Sequence, residues 1–383
     1  MENKEVAAGV KQVIAQFLIE GSIGAIKPFG SGHINDTYKI SNADKNAPDY
    51  LLQRINHHIF KNVPGLIDNI LYVTNHIKKK LAQVPGSDGD KQVLTLIGTK
   101  DGLFYHQDES GNYWRMYRFM NGTKSYDVVT NEKQAREGGR AFGNFQTMVA
   151  DVEVSKLTEI IPDFHNIVFR LRQLDEAIKA DAANRVKDVT SEIIFVNERA
   201  HDMAEIHRMG QAGKLPLRVT HNDTKFNNVL LDENDVAQCV IDLDTIMPGY
   251  TAFDFGDAVR TIINSAPEDE ADLEKIQLNI PLFRAFAEGF LSQTINYMGV
   301  TEIRSLVKGV LLLPYIMGVR FLTDYLNGDV YYKIKSAGHN LKRARAQFQL
   351  VKKLEEHYTE IYAIVLQTVN ENKELNEIDI KID

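Results

Sequence analysis

Cysteine is all but missing. The single one in 383 residues, Cys239, lies in the apolar run Ala237 to Leu243, so no disulfide can form within the chain. A buried, inert thiol is expected there rather than a nucleophile. Positive charge is also in deficit: 44 Lys and Arg against 52 Asp and Glu give a net charge of -8. The basic residues are scattered, and without a basic stripe to displace counterions a nucleic-acid partner is excluded. Long apolar runs are lacking too; the longest, near Val310 to Val319, is interrupted by Pro314, so no membrane span is expected. The opening MENKEVAAGVKQ has no basic region followed by an apolar one, and the compartment expected is the cytosol, a cytoplasmic location. No internal repeat, no low-complexity linker and no glycine-rich strand-to-helix unit of the dinucleotide-binding type occurs.

What is present is the balance of a folded protein, 44% hydrophobic and 25% charged residues, at a length that favours two lobes over one core. Strands are predicted at Ala25 to Phe29, Thr37 to Ile40, Tyr50 to Ile55, Val93 to Ile97, Leu103 to His106 and Tyr113 to Phe119. One helix interrupts them, opened by Pro64 and marked by Leu66, Ile70, Val73, Ile77 and Leu81 on one face. After Asn121-Gly122 the periods become helical: Glu132 to Ala150, Ser191 to Met209, and beyond a short strand-and-loop island from Leu217 to Thr245, Glu268 to Met298, Glu302 to Leu326 and Lys342 to Val369. The fold class expected is α+β, a small antiparallel-sheet lobe over residues 1–120 and a larger helical lobe over 121–383.

The island carries the chemistry. His221, Asp223 and Asn228 stand in the pattern H-x-D-x-x-x-x-N of kinase catalytic loops. There a carboxylate orients or deprotonates the acceptor hydroxyl, and a carboxamide oxygen five residues on coordinates Mg2+. Strand, turn and strand from Val229 to Ile241 then return the chain to Asp242, fourteen residues after Asn228, where kinases keep their metal-binding aspartate. Asp223 is thus the catalytic candidate, and Asn228 and Asp242 are the metal candidates. Asp244, on the same face as Asp242 if the strand persists, is a candidate for a second metal, a bridging water or the substrate. The literal Asp254-Phe255-Gly256 comes too late to be the metal motif; Asp254, or Asp257 at the head of a helix Ala258 to Ile263, is expected to cap or to bond catalytic-loop amides.

Near the N-terminus, Gly30, Ser31 and Gly32 form a turn between two strands where the backbone can close over phosphates. Tyr50 to Ile55 follows in the place where kinases present a basic residue, which makes Arg54 the nucleotide-binding cation, or Gln53 the contact if the register slips by one. The helix Leu66 to Leu81 offers no glutamate to pair with Arg54.

His221-Asn-Asp-Thr-Lys-Phe-Asn-Asn228 and Val240-Ile-Asp-Leu-Asp-Thr-Ile-Met-Pro248 resemble the aminoglycoside phosphotransferase and choline kinase superfamily. Gly32-His-Ile-Asn-Asp-Thr-Tyr38, Phe253-Asp-Phe-Gly-Asp-Ala-Val-Arg260 and Arg320-Phe-Leu-Thr-Asp-Tyr-Leu-Asn-Gly-Asp-Val-Tyr331 narrow the resemblance to the N-acetylhexosamine 1-kinases, over nearly the whole chain. It implies ATP as co-substrate, Mg2+ as cofactor, a two-lobed protein-kinase-like fold, and a hexosamine held by His33, Asp223, Arg320 and Tyr331. His33 could instead belong to the phosphate loop, and Arg320 could pair with Asp324 one helical turn later.

The implied reaction moves the γ-phosphate of ATP to the anomeric hydroxyl of N-acetylglucosamine or N-acetylgalactosamine. A same-fold kinase for homoserine, choline or an aminoglycoside is the rival enzyme. A non-catalytic module binding sugar or nucleotide is the rival of another class, and the joint presence of Asp223, Asn228 and Asp242 argues against it. Nothing in the sequence sets an oligomeric state.

Overall fold

The computed structural model describes residues 9–30 and 34–376. Its N-terminal part is one antiparallel sheet of five strands, β1 (Ile23–Pro28), β2 (Asp36–Asn42), β3 (Tyr50–Ile55), β4 (His106–Gln107) and β5 (Tyr113–Arg118), in the order β1-β2-β3-β5-β4. Strand alternation splits the side chains between two faces. Ile40, Tyr50, Leu52, Trp114 and Met116 pack with Ile14 and Phe17 on one; Ile55 and Tyr117 pack on the other against helix α1 (Val63–Leu81). Helix α1 begins where Pro64 predicts, with the Asn62 side chain accepting from the Gly65 amide.

Two predicted strands are curtailed. Val93 to Ile97 runs beside β5 with only Ile97 N donating to Met116 O at 2.8 Å, Arg118 N to Thr95 O at 2.9 Å, and a bridge from Leu96 to Tyr117. Leu103 to His106 contributes only His106, at the other end of the same edge. Both segments share one six-residue edge, since β3 occupies the opposite side of β5, so neither has room for a full ladder.

The C-terminal part is helical: α2 (Glu132–Met148), α3 (Ile167–Ala180), α4 (Thr190–Met203), α5 (Glu205–Gln211), α6 (Thr251–Ile262), α7 (Ile280–Thr294), α8 (Val300–Leu326), α9 (His339–Glu356) and α10 (Tyr358–Asn376). Helix α3 is absent from the sequence reading. The predicted helix from Glu268 shortens to α7, because Asn279 caps it, accepting from Leu282 N at 3.1 Å, and Pro281 opens the first turn. The predicted Lys342 to Val369 helix is broken at His357. Helix α8 is long and apolar enough to cross a bilayer, but 72% of its apolar window is buried inside the protein. It is the helix around which α6, α9 and α3 pack. The α6–α8 crossing is close because Gly256 faces Gly309: a Cβ on Gly256 would lie 2.2 Å from the Gly309 carbonyl oxygen.

Between the two parts lie two short hairpin-like sheets, β6 (Arg218–Thr220) with β9 (Met247–Gly249), and β7 (Val229–Leu231) with β8 (Ala237–Val240). They hold the H-x-D-x-x-x-x-N segment at the junction of sheet and helices.

Candidate active site

The loop His221 to Lys225 leaves β6 in a conformation fixed from several sides. Asn222 adopts a left-handed backbone, φ 64°, which asparagine tolerates because its short amide bonds locally. Its side chain donates to Thr245 O at 2.9 Å and Thr220 O at 3.2 Å. From α6, Asp254 accepts His221 N at 2.8 Å, Asn222 N at 2.7 Å and Gln146 Nε2 at 2.6 Å. Burial pushes its carboxyl up to about 6, and the neighbouring His221 and these three bonds pull the other way. One turn on, Asp257 accepts Thr224 N at 2.9 Å and pairs with Arg260 at 2.8 Å. Burial works against its ionisation, yet the Arg260 charge and hydrogen bond, with His165 and Lys225, together hold the carboxyl below the usual range. Both residues therefore bond catalytic-loop amides; neither caps, because α6 already begins at Thr251.

His221 is buried, with Nε2 2.8 Å from Ile241 O and Nδ1 accepting Asp223 N at 3.2 Å. The neutral Nε2-H tautomer satisfies both contacts. The ring thus ties Asp223 to the strand that delivers Asp242.

Asp223, Asn228 and Asp242 converge. Asn228 Nδ2 donates to Asp223 O at 2.7 Å, which occupies the amide nitrogen and leaves the carboxamide oxygen as a ligand. Lys225 Nζ lies 3.1 Å from Asp223 Oδ2, and the Asp223 charge raises the lysine's pKa. Asp242 takes a left-handed backbone, φ 60° and ψ 56°, and its carboxylate accepts no hydrogen bond from a described residue. Enclosure by the cleft walls, then the charges of Asp244 and Asp223, push it up to about 6. An anion that accepts from no described donor, beside the Asp223 carboxylate and the open carboxamide oxygen of Asn228, is a donor set that fits a hard divalent cation such as Mg2+.

Asp244 does something else. It is ion-paired with Arg115 of β5, whose side chain is 1% exposed, and it accepts Asn35 Nδ2 at 2.8 Å. Arg115 Nε in turn donates to Gln53 Oε1 at 3.0 Å. The second-metal or substrate role expected for Asp244 gives way to this link, because both carboxylate oxygens are committed to the N-terminal sheet.

The same geometry corrects Arg54. Register pairs Gln53 with Arg115 and Arg54 with Trp114, so strand alternation sends Gln53 to the face that meets Asp244 and Arg54 to the opposite one. There Arg54 pairs with Asp36 and lies 6.0 Å from the Trp114 ring. Gly30 has φ 83°, a backbone that favours glycine. Ser31, Gly32 and His33 lie outside the described residues.

On the helical side, Arg320 of α8 sits 5.1 Å from the Phe164 ring and 5.7 Å from that of Tyr332. It does not pair with Asp324. That carboxylate, 4% exposed, accepts the amides of Val330, Tyr331 and Tyr332 at 2.8 to 3.0 Å and Asn340 Nδ2 at 2.9 Å. It thereby shapes the loop that holds Tyr331, 60% exposed, beside Tyr332. His165 Nε2 approaches Asn222 O at 3.1 Å and joins this wall to the catalytic loop.

Sequence reasoning missed Arg115, Lys225 and His165 as parts of the site, and weighed Asp324 only as a partner for Arg320. Lys225 stood in the motif itself, two residues after Asp223. Arg115 had a weaker signal, one of two arginines inside the strand-like run Tyr113 to Phe119; His165 had none.

Three solved structures share the fold. An aminoglycoside phosphotransferase from Alicyclobacillus acidocaldarius is 12% identical with a TM-score of 0.60, covering 94% of this chain and 96% of that one. An amicoumacin kinase in complex with AMP-PNP, Ca2+ and Ami is 13% identical with a TM-score of 0.56, covering 90% and 95%. A choline kinase from Cryptosporidium parvum is 16% identical with a TM-score of 0.51, covering 92% and 90%. The family model described as phosphotransferase enzyme family matches residues 25–288. With the loop of Asp223 and Asn228 and the carboxylate of Asp242 at the junction of its sheet and helices, this chain belongs to the phosphotransferase enzyme family.

Proposed function

We propose that the chain is an ATP-dependent, Mg2+-requiring kinase that phosphorylates the anomeric hydroxyl of an N-acetylhexosamine. The convergence of Asp223, Asn228 and Asp242 on a loop clamped by Asp254 and Asp257 carries the catalytic part of this reading. Asp223 orients the acceptor hydroxyl and takes its proton; Lys225, 3.1 Å from that carboxylate, lies where negative charge accumulates. Asn228 and Asp242 would hold the divalent ion, which would supply positive charge to offset that of the nucleotide phosphates. The complex of the amicoumacin kinase with AMP-PNP and Ca2+ supports a nucleotide and a divalent cation as ligands of this fold. Residues 1–120 cover the nucleotide, with Gly30, Ser31 and Gly32 over its phosphates, and 121–383 supply catalysis and the acceptor wall. Arg54 has no phosphate role on this reading, since its face of the sheet is turned away.

The sugar assignment rests on the motif resemblance and on the acceptor wall. Arg320 and Tyr331 offer a forked donor and an exposed aromatic, a combination suited to a polyhydroxylated ring. The test is ADP release with Mg-ATP across N-acetylglucosamine, N-acetylgalactosamine, glucose, choline, homoserine and kanamycin, with NMR of the product. Turnover confined to N-acetylhexosamines, with phosphate on carbon one, is expected, and Asp223→Ala should abolish it while Mg-ATP binding persists. Turnover on choline or kanamycin alone would overturn the sugar assignment, and full activity of Asp223→Ala would overturn the mechanism.

A further inference from the structure

The acceptor wall contains a second arginine. Arg170 of α3 donates to Phe164 O at 3.1 Å and to Gln173 Oε1 at 2.9 Å, and Phe164 is the residue whose ring lies under Arg320. Neither guanidinium has a carboxylate of a described residue within ion-pair distance, whereas Arg115, Arg185, Arg199, Arg218, Arg260 and Arg345 each do. Asp163, whose charge acts on Arg170, accepts from Asn166 at 2.6 Å. Arg170 Nε and Tyr332 Oη are both buried without a hydrogen-bond partner. Buried donors are rarely left unpaired, and each exception calls for a reason. Burial and the Arg320 charge together pull the Arg170 pKa down to about 10, so the pair repels. In a chain of net charge -8, two unneutralised guanidinium groups beside the catalytic loop are an arrangement that an anionic ligand would complete.

We infer that Arg170 and Arg320, with the Tyr332 hydroxyl, form an oxyanion subsite in the acceptor wall, and that the preferred acceptor is a sugar carrying an anionic substituent remote from the hydroxyl that is phosphorylated. This rests on the kinase reading above but goes beyond it, because the motifs imply a neutral hexosamine. The planar forks of two arginines match a carboxylate, sulfate or phosphate, and their charge-assisted bonds outweigh those made to a neutral hydroxyl.

The test compares matched acceptors in the full chain: N-acetylglucosamine, its 6-sulfate, its 6-phosphate, and glucose against glucuronate, by ADP release at low and high salt. Anionic members should exceed their neutral partners in kcat/KM by about tenfold or more, with the advantage shrinking in salt; their ranking identifies the substituent. Arg170→Met and Arg320→Met should each erase the ratio, and Arg170→Lys should restore part of it. Mg-ATP affinity shows that the variants are folded. Equal use of neutral and anionic acceptors, or a loss in Arg170→Met that is the same for both, overturns the inference. If no sugar turns over, the kinase assignment fails separately. Calorimetry of N-acetylglucosamine 6-sulfate and inorganic sulfate then decides the subsite: binding abolished by Arg170→Met upholds it, and absent or unaltered binding overturns it.

Discussion

Asp254→Asn tests how the catalytic loop is held. The wild-type carboxylate accepts three N-H donors with two oxygens, His221 N and Gln146 Nε2 on one and Asn222 N on the other. Asparagine is isosteric but supplies one acceptor oxygen. Whichever way the amide turns, a backbone N-H of the loop must face an NH2 group. The less costly orientation keeps His221 N and strands Asn222 N, and a buried unsatisfied donor costs about 1–3 kcal/mol. Loss of charge-assisted strength in the remaining bonds adds about 1 kcal/mol, giving roughly 2–4 kcal/mol against the native loop. The strain falls on Asn222, next to Asp223, in a backbone already left-handed. A displacement there on the order of 1 Å lowers turnover by about a hundredfold. Steady-state kinetics should show kcat down roughly ten- to hundredfold, with Mg-ATP affinity near wild type because Asn228 and Asp242 are untouched. A kcat within about twofold of wild type, in a variant destabilised by less than about 1 kcal/mol in urea, would refute the clamp.

The buried Arg115–Asp244 pair yields a second expectation: Arg115→Met leaves a buried carboxylate without its cation and should cost about 3–5 kcal/mol in chemical unfolding. Adding Asp244→Asn should recover part of that loss, and strictly additive losses would count against direct coupling. His165 sets an acid limit. Burial first, and the charges of Arg320 and Arg170, hold its pKa down to about 4 from 6.5, against the pull of Asp257 and the bond to Asn222 O. The unfolded chain therefore binds the proton that the native state refuses. This contribution is fully present above about pH 6.5 and is lost as pH falls toward 4, by about 2 kcal/mol at pH 5. Urea unfolding of His165→Gln should show a pH 7.5 to pH 5 loss smaller by about that amount, and an unchanged loss would refute the assignment.

The sequence by itself determined much of this protein. The spacing of Asp223, Asn228 and Asp242, the β7–β8 hairpin and helix α1 were legible because each is local: a motif, a turn between strands, an apolar stripe at helical spacing. Asp254 and Asp257 could be read as bonding loop amides because they sit where a literal metal motif would be too late. What the tertiary structure decided is which partner each charge takes. Asp244 follows Asp242 in the 3-10 turn Leu243–Thr245, past the end of β8, yet it meets Arg115 from a strand over a hundred residues earlier, and no spacing announces that pairing. Arg54 and Gln53 differ by one residue, and only the register of β3 against β5 says which faces the cleft. Arg320 and Asp324 are one helical turn apart and could have paired; the folded loop of Val330, Tyr331 and Tyr332 takes the carboxylate instead. Sequence fixes the local chemistry available, and long-range packing fixes which buried charge is satisfied, since a desolvated ion must find its partner wherever the fold puts one.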